Sequence, residues 1–113
     1  MSESCNFEGP RPRQTHELKT WPEFFEQTRN GKKKFELRRN DRDFKVGDEL
    51  LLKEWDPAIE EPYGPGEGGK YKGYTGRELL VRVDYVMDEG TVSSLTNTRH
   101  APGYVIMSIS HVN

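Results

Sequence analysis

Apolar and polar residues along the chain follow two periods. One stretch, TWPEFFEQTRNG at residues 20–31, has helical spacing: Trp21, Phe24, Phe25 and Thr28 fall on one face. Thr20 stands where a capping residue would, with Glu23 three residues on to complete a capping box. Pro22 fits the first turn because its missing N–H has no helical partner to lose. Gly31 supplies the left-handed residue that stops the helix. A short strand, THELK at residues 15–19, comes before it. After it the period falls to two. KKFELR places Phe35 and Leu37 on one face, with Lys34, Glu36 and Arg38 on an outward face. NDRDFKVGD then connects, through a turn at Val46, Gly47 and Asp48, to the strand ELLLKEW. RELLVRVDYVM reads as the longest strand, with Leu79, Val81, Val83, Tyr85 and Met87 facing one way and Arg82 and Asp84 the other. YVIMSI closes the chain as a mostly buried strand. Residues 88–103 read as a polar connection, and residues 56–76 as a loop of six Gly and three Pro, long enough to carry function.

One helix leading into several short strands predicts an α+β fold, a small mixed sheet that closes into a barrel. Closure suits a thin core because it removes exposed edges. The core is thin: hydrophobic and charged residues each make up 32% of the 113 residues. Residues 1–14 read as a loose leader, and residues 15–113 as one domain. Aromatics at 11% argue against disorder. There is no apolar run of the roughly 18 residues a membrane helix needs, and no secretory signal, so a cytoplasmic protein is expected. The single Cys5 cannot make an internal disulfide. His16, His100 and His111 have no metal-ligand spacing, so neither metal nor cofactor is expected. A nucleophile elbow, a P-loop and a dinucleotide glycine pattern are all missing from the sequence.

Charge changes this picture. Between Arg29 and Lys45 eight cations stand against three carboxylates, a net +5 inside a chain of net −2. Such separation steers an anionic ligand to one face, and arginine suits bidentate phosphate contact. The bland alternative is a solvated strand edge whose cations keep it from pairing. Glu36, flanked by Lys34 and Arg38, could read a base edge or activate water, or be one rung of a surface ion-pair ladder. Tyr63, Tyr71 and Tyr74, interleaved with Lys70, Lys72 and Arg77, could stack on bases. The pI near 5.9 favours a selective pocket over strong nonspecific nucleic-acid binding.

GKKKFELR fits G-x-K-x-x-E-x-R as Gly31, Lys33, Glu36 and Arg38, directly after a helix and at the head of a strand. It resembles the signature of the ASCH domains of the PUA-like β-barrel superfamily. With the VGD turn, YTGRE and GYVIMSI, the resemblance runs over about residues 15–109, and looks like a family of small bacterial and phage proteins. It implies a PUA-like mixed barrel with a short helix before the signature strand, and a cleft that binds RNA or a nucleotide-like ligand. Lys33 and Arg38 would take phosphate and Glu36 would hydrogen-bond a base. Asn40, Arg42 and Tyr74 would form the rim, with His16 and Lys19 nearby. Lys33 and Glu36 share a cleft only if Lys33 precedes the strand or a bulge intervenes. One branch of the superfamily deacetylates acetylcytidine with a Lys, a Thr and a later Glu. Here Lys33 matches but Glu36 stands where that branch has Thr, with Glu78 or Glu89 as later carboxylates. An amidohydrolase using Lys33 and Glu36 is therefore the alternative function.

Overall fold

The computed structural model describes residues 12–59, 73–96 and 103–112. Its elements are β1 (Thr15–Thr20), α1 (Pro22–Arg29), β2 (Phe35–Arg39), β3 (Glu49–Trp55), β4 (Tyr74–Met87), α2 (Glu89–Thr96) and β5 (Tyr104–His111). The strands form one mixed sheet in the order β1-β3-β4-β5-β2. β1 runs parallel to β3, and the β3–β4, β4–β5 and β5–β2 pairings are antiparallel. The sheet curls until its edges, β1 and β2, face each other across a seam. Arginine side chains bridge that seam: Arg38 Nη2 donates to the Lys19 carbonyl at 2.9 Å, and Arg42 Nη1 to the Glu17 carbonyl at 2.6 Å. The fold is therefore an α+β half-barrel whose open side is tied by guanidinium groups. Two members of the basic cluster satisfy backbone carbonyls that an edge strand otherwise leaves to water.

Inward positions of the sheet form the core: Leu18, Leu50, Leu52, Val81, Val83, Val105, Met107 and Ile109. Phe25 of α1 and Phe44 of the β2–β3 connection join the same cluster. The helix departs from its expected start. Trp21 is the N-cap, extended at φ −62° and ψ 150°, and makes no side-chain cap. A residue before proline is held out of helical geometry, so Pro22 at the start of α1 makes Trp21 the boundary and leaves Thr20 in β1. The expected apolar face also splits. Phe25 and Thr28 are buried, while Trp21 and Phe24 are exposed. Gly31, at φ 85°, ends the helix as expected, its N–H donating to the Thr28 carbonyl.

β2 is the main correction. Its alternation is as expected, but its faces are reversed. Glu36 is 3% exposed, whereas Phe35 and Leu37 are 49% and 52% exposed. Glu36 and Arg38 stand opposite Met107 and Val105, the inward residues of β5. β4 departs too. Its register shifts between Val83 and Tyr85, so Tyr85 turns outward and Val86 packs against the core. Such a bulge breaks the period-two pattern. Residues 88–103, expected as a polar connection, contain α2. Asp88 Oδ1 accepts from the Thr91 N–H at 2.8 Å, and that bond holds the Asp88 carboxyl below its ordinary range. Most of the Gly-rich connection, with Tyr63, Lys70, Tyr71 and Lys72, lies outside the described residues, as do Cys5 and His100. No described helix is long and apolar enough to cross a membrane.

Chain re-entry at Gly73 is tightly specified. Gly73 has φ 92°, and a Cβ there would overlap the indole of Trp55. Gly73→Ala is expected to cost about 2–4 kcal/mol, from left-handed strain plus overpacking. Urea unfolding followed by tryptophan fluorescence tests this, and a cost below about 1 kcal/mol contradicts it.

Candidate functional site

The seam opens at one end into a cleft of about 500 Å3. One wall comes from the end of β1 and the start of α1: Lys19, Thr20, Trp21 and Phe24. The other comes from the segment entering β2 and from β2 itself: Lys33, Phe35, Glu36, Leu37 and Arg38. At its centre the Glu36 carboxylate is clamped between two cations. Lys33 Nζ lies 3.0 Å from Glu36 Oε2 and Arg38 Nε 3.0 Å from Oε1. Lys33 precedes the first strand residue, Phe35, so its side chain reaches across to Glu36; the apparent opposition of faces is resolved without a bulge. The same ammonium also donates to the Phe35 carbonyl at 2.6 Å and sits 4.9 Å from the Phe35 ring centroid. Arg38 extends the network to Thr20 Oγ1 at 3.3 Å.

Unpaired backbone edge groups also face the cleft. Ile109 N–H donates to the Lys34 carbonyl, and Asn40 N–H to the Gly103 carbonyl. Antiparallel ladders alternate their hydrogen-bonding sides, so the N–H and C=O of Leu37 point away from β5 into the seam. The cleft thus combines exposed aromatic and apolar walls, a charged floor and a backbone donor–acceptor pair. Trp21 and Phe24 are 56% and 44% exposed and stand with the exposed Phe35 and Leu37 around the cleft.

Of the residues expected at the site, the structure brings Lys19, Lys33, Glu36 and Arg38 together. The other four lie elsewhere. His16 is buried, its Nε2 2.9 Å from Asp48 Oδ2 and its ring edge-on to Phe44 at 4.9 Å between centroids. Asn40 Nδ2 donates to Glu89 Oε2 at 3.0 Å, tying the end of β2 to α2. Arg42 closes the seam. Tyr74 stands behind Lys19, whose ammonium lies 6.0 Å from its ring centroid and 4.6 Å from that of Trp55. Glu78 lies 3.8 Å from Lys53 rather than in the cleft.

Thr20, Trp21, Phe24, Phe35 and Leu37 line the cleft without being expected there, and Glu54 is an unexpected buried carboxylate. Glu54 is the register partner of Thr20 and is 6% exposed. It accepts from Thr75 Oγ1 at 2.6 Å and lies 3.5 Å from Arg77 Nε. Its signal was present in ELLLKEW, where Glu54 follows Leu50 and Leu52 on the same face. Arg77 also donates to Glu26 Oε1 at 3.0 Å, and Arg29 to Glu26 Oε2 at 2.6 Å. Hydrogen bonds from Arg29 and then Arg77 lower the Glu26 carboxyl to about 2, so this tie between α1 and β4 stays charged at any physiological pH.

Fold and cleft together define a small α+β half-barrel domain with a polar site in its seam. The chain belongs to the family described as a domain of unknown function, DUF3850, whose profile matches residues 15–109. It is also 32% identical over 73 residues to an uncharacterised 12.9 kDa protein in the GpA 3′ region of Escherichia phage P2. That match covers 65% of this chain and 54% of the phage protein, so the chain spans about half the length of this curated relative.

Proposed function

We propose that this protein is a nucleotide- or RNA-binding module of the ASCH type, with a PUA-like barrel, and that its ligand base occupies the seam cleft. The observation that carries this reading is a buried carboxylate, held between Lys33 and Arg38 at the floor of a cleft of about 500 Å3 with exposed Trp21 and Phe24 on its wall. That volume is in the range of small-ligand sites. Aromatic rings stack on any base, while Glu36 and the Leu37 backbone offer hydrogen bonds to a base edge. Lys19 and Lys33 place positive charge beside it.

Titration with short single-stranded RNA and with nucleotides, read by Trp21 fluorescence, tests the proposal; Trp21→Phe separates its signal from that of Trp55. Saturable binding that weakens with added salt is expected, because each phosphate contact releases a counterion. Absence of binding, or binding indifferent to salt, overturns it. The amidohydrolase reading rests on the 3.0 Å contact between Lys33 and Glu36, which could serve as a general acid–base pair. Mass analysis of modified nucleosides such as acetylcytidine after incubation decides it: a mass change lost in Glu36→Gln makes the protein an enzyme.

A further inference from the structure

A second pocket, of about 310 Å3, lies on the other side of Lys33, which lines both it and the seam cleft. Its wall comes from the end of α1 and the segment after it, through Thr28, Gly31, Lys33 and Lys34, and from the end of β5, through Ile109, Ser110 and His111. We infer that this pocket is a phosphate subsite, holding a phosphate of the ligand whose base sits in the seam cleft. The inference rests on the reading given under Proposed function, and it makes the ligand a phosphorylated nucleotide or an RNA strand rather than a free nucleoside.

The chemistry of the wall favours an oxyanion. Its polar side chains are two lysines, two hydroxyls and an imidazole, and it includes no carboxylate. The Thr28 carbonyl only accepts, so His111 Nε2, 2.7 Å away, carries a proton and donates to it. That bond fixes the imidazole against the end of α1.

An independent observation comes from Thr28, which is 1% exposed. Its Oγ1 is the one buried side-chain oxygen among the described residues that has no hydrogen-bond partner. Native proteins rarely leave such an atom unpaired, and an exception points to a bound water, ion or ligand. Thr28 belongs to the pocket wall beside Lys34, so an ordered water behind that wall would satisfy the hydroxyl and pass a hydrogen bond on to an anion in the pocket.

Lys33 explains why the two cavities would act together. Its ammonium is engaged on the cleft side by Glu36 and the Phe35 carbonyl, while its residue forms part of the second wall. A ligand with a flat ring in the cleft and an anion in the second pocket would straddle this one residue.

The experiment is calorimetric titration of the full chain with the four ribonucleosides, their 3′- and 5′-monophosphates and inorganic phosphate, repeated with Lys34→Gln and Thr28→Val. Neither substituted residue lines the seam cleft. At least one monophosphate is expected to bind about tenfold to a hundredfold tighter than its nucleoside, the gain typical of charge-assisted hydrogen bonds. Both variants should erase that gain and leave nucleoside affinity unchanged. Equal affinity for nucleoside and monophosphate overturns the subsite and leaves the cleft reading standing. If no nucleoside or nucleotide binds, but inorganic phosphate shifts the amide NMR signals of Lys34 and Ser110, the anion pocket stands and the cleft reading falls. If nothing binds, both fall.

Discussion

Glu36→Ala is expected to destabilise the protein by about 2–3 kcal/mol, because it leaves Lys33 and Arg38 facing each other without their shared anion. Breaking a buried ion pair by removing one partner costs about 3–5 kcal/mol. Here the stranded cations are 15% and 25% exposed, so water recovers part of that cost. Arg38 keeps its bonds to the Lys19 carbonyl and to Thr20, and these hold the seam partly closed. Glu36→Gln preserves shape and some hydrogen bonding, and should cost clearly less. The double variant Glu36→Gln with Lys33→Met removes charge from both sides; it should be more stable than the sum of the single changes predicts, since neighbours in one network do not add. Chemical denaturation of the parent, Glu36→Gln, Lys33→Met and the double variant gives the coupling directly. A cost below about 0.5 kcal/mol for Glu36→Ala would show the carboxylate to be solvated and would remove the buried floor on which the proposed site depends.

Asp48→Ala is expected to have the larger effect, about 3–5 kcal/mol, and to leave the protein mostly unfolded at 37 °C. Asp48 is 1% exposed and accepts from three donors, two at the start of β1 and one in the β2–β3 connection. It takes hydrogen bonds from the Gln14 N–H at 3.2 Å, the Lys45 N–H at 3.1 Å and His16 Nε2 at 2.9 Å. The buried His16 donor left unpaired costs about 1–3 kcal/mol, the two part-buried N–H groups lose less because water reaches them, and the total is a large share of a marginal stability. Asp48→Asn keeps an acceptor oxygen and should recover about half of the loss. If Asp48→Ala unfolds with the same midpoint as the parent, the hydrogen-bonded corner is incidental. This corner also accounts for His16, expected near the rim of the ligand site. Its inward direction in β1 commits it to Asp48 and Phe44, away from the cleft.

Strands and helix were legible because burial writes its period locally. THELK, ELLLKEW and YVIMSI all appear as strands within one or a few residues of the expected limits, and the stop at Gly31 follows from its left-handed backbone. The gathering of Lys33, Glu36 and Arg38 was legible as a signature, since all three lie within six residues of one turn and strand. The polarity of β2 was not. FELRR alternates equally well in either orientation, and a period of two names two faces without saying which is inside. Pairing with β5 decided it, by setting Glu36 opposite Met107 and Arg38 opposite Val105. The bulge in β4 likewise follows from how that strand fits β5, and α2 from its Asp88 cap, where its weak pattern of apolar residues gave little signal.

By itself the sequence determined the succession of strands and the first helix, the charged segment and the grouping of Lys33, Glu36 and Arg38, because spacing along a chain fixes local geometry. Which residues complete the cleft was decided only by the curl of the sheet. Lys19, Thr20, Trp21 and Phe24 meet Phe35 and Leu37 because two edge strands that are not neighbours in the sheet face each other across the seam, and closure of that kind depends on every pairing between them.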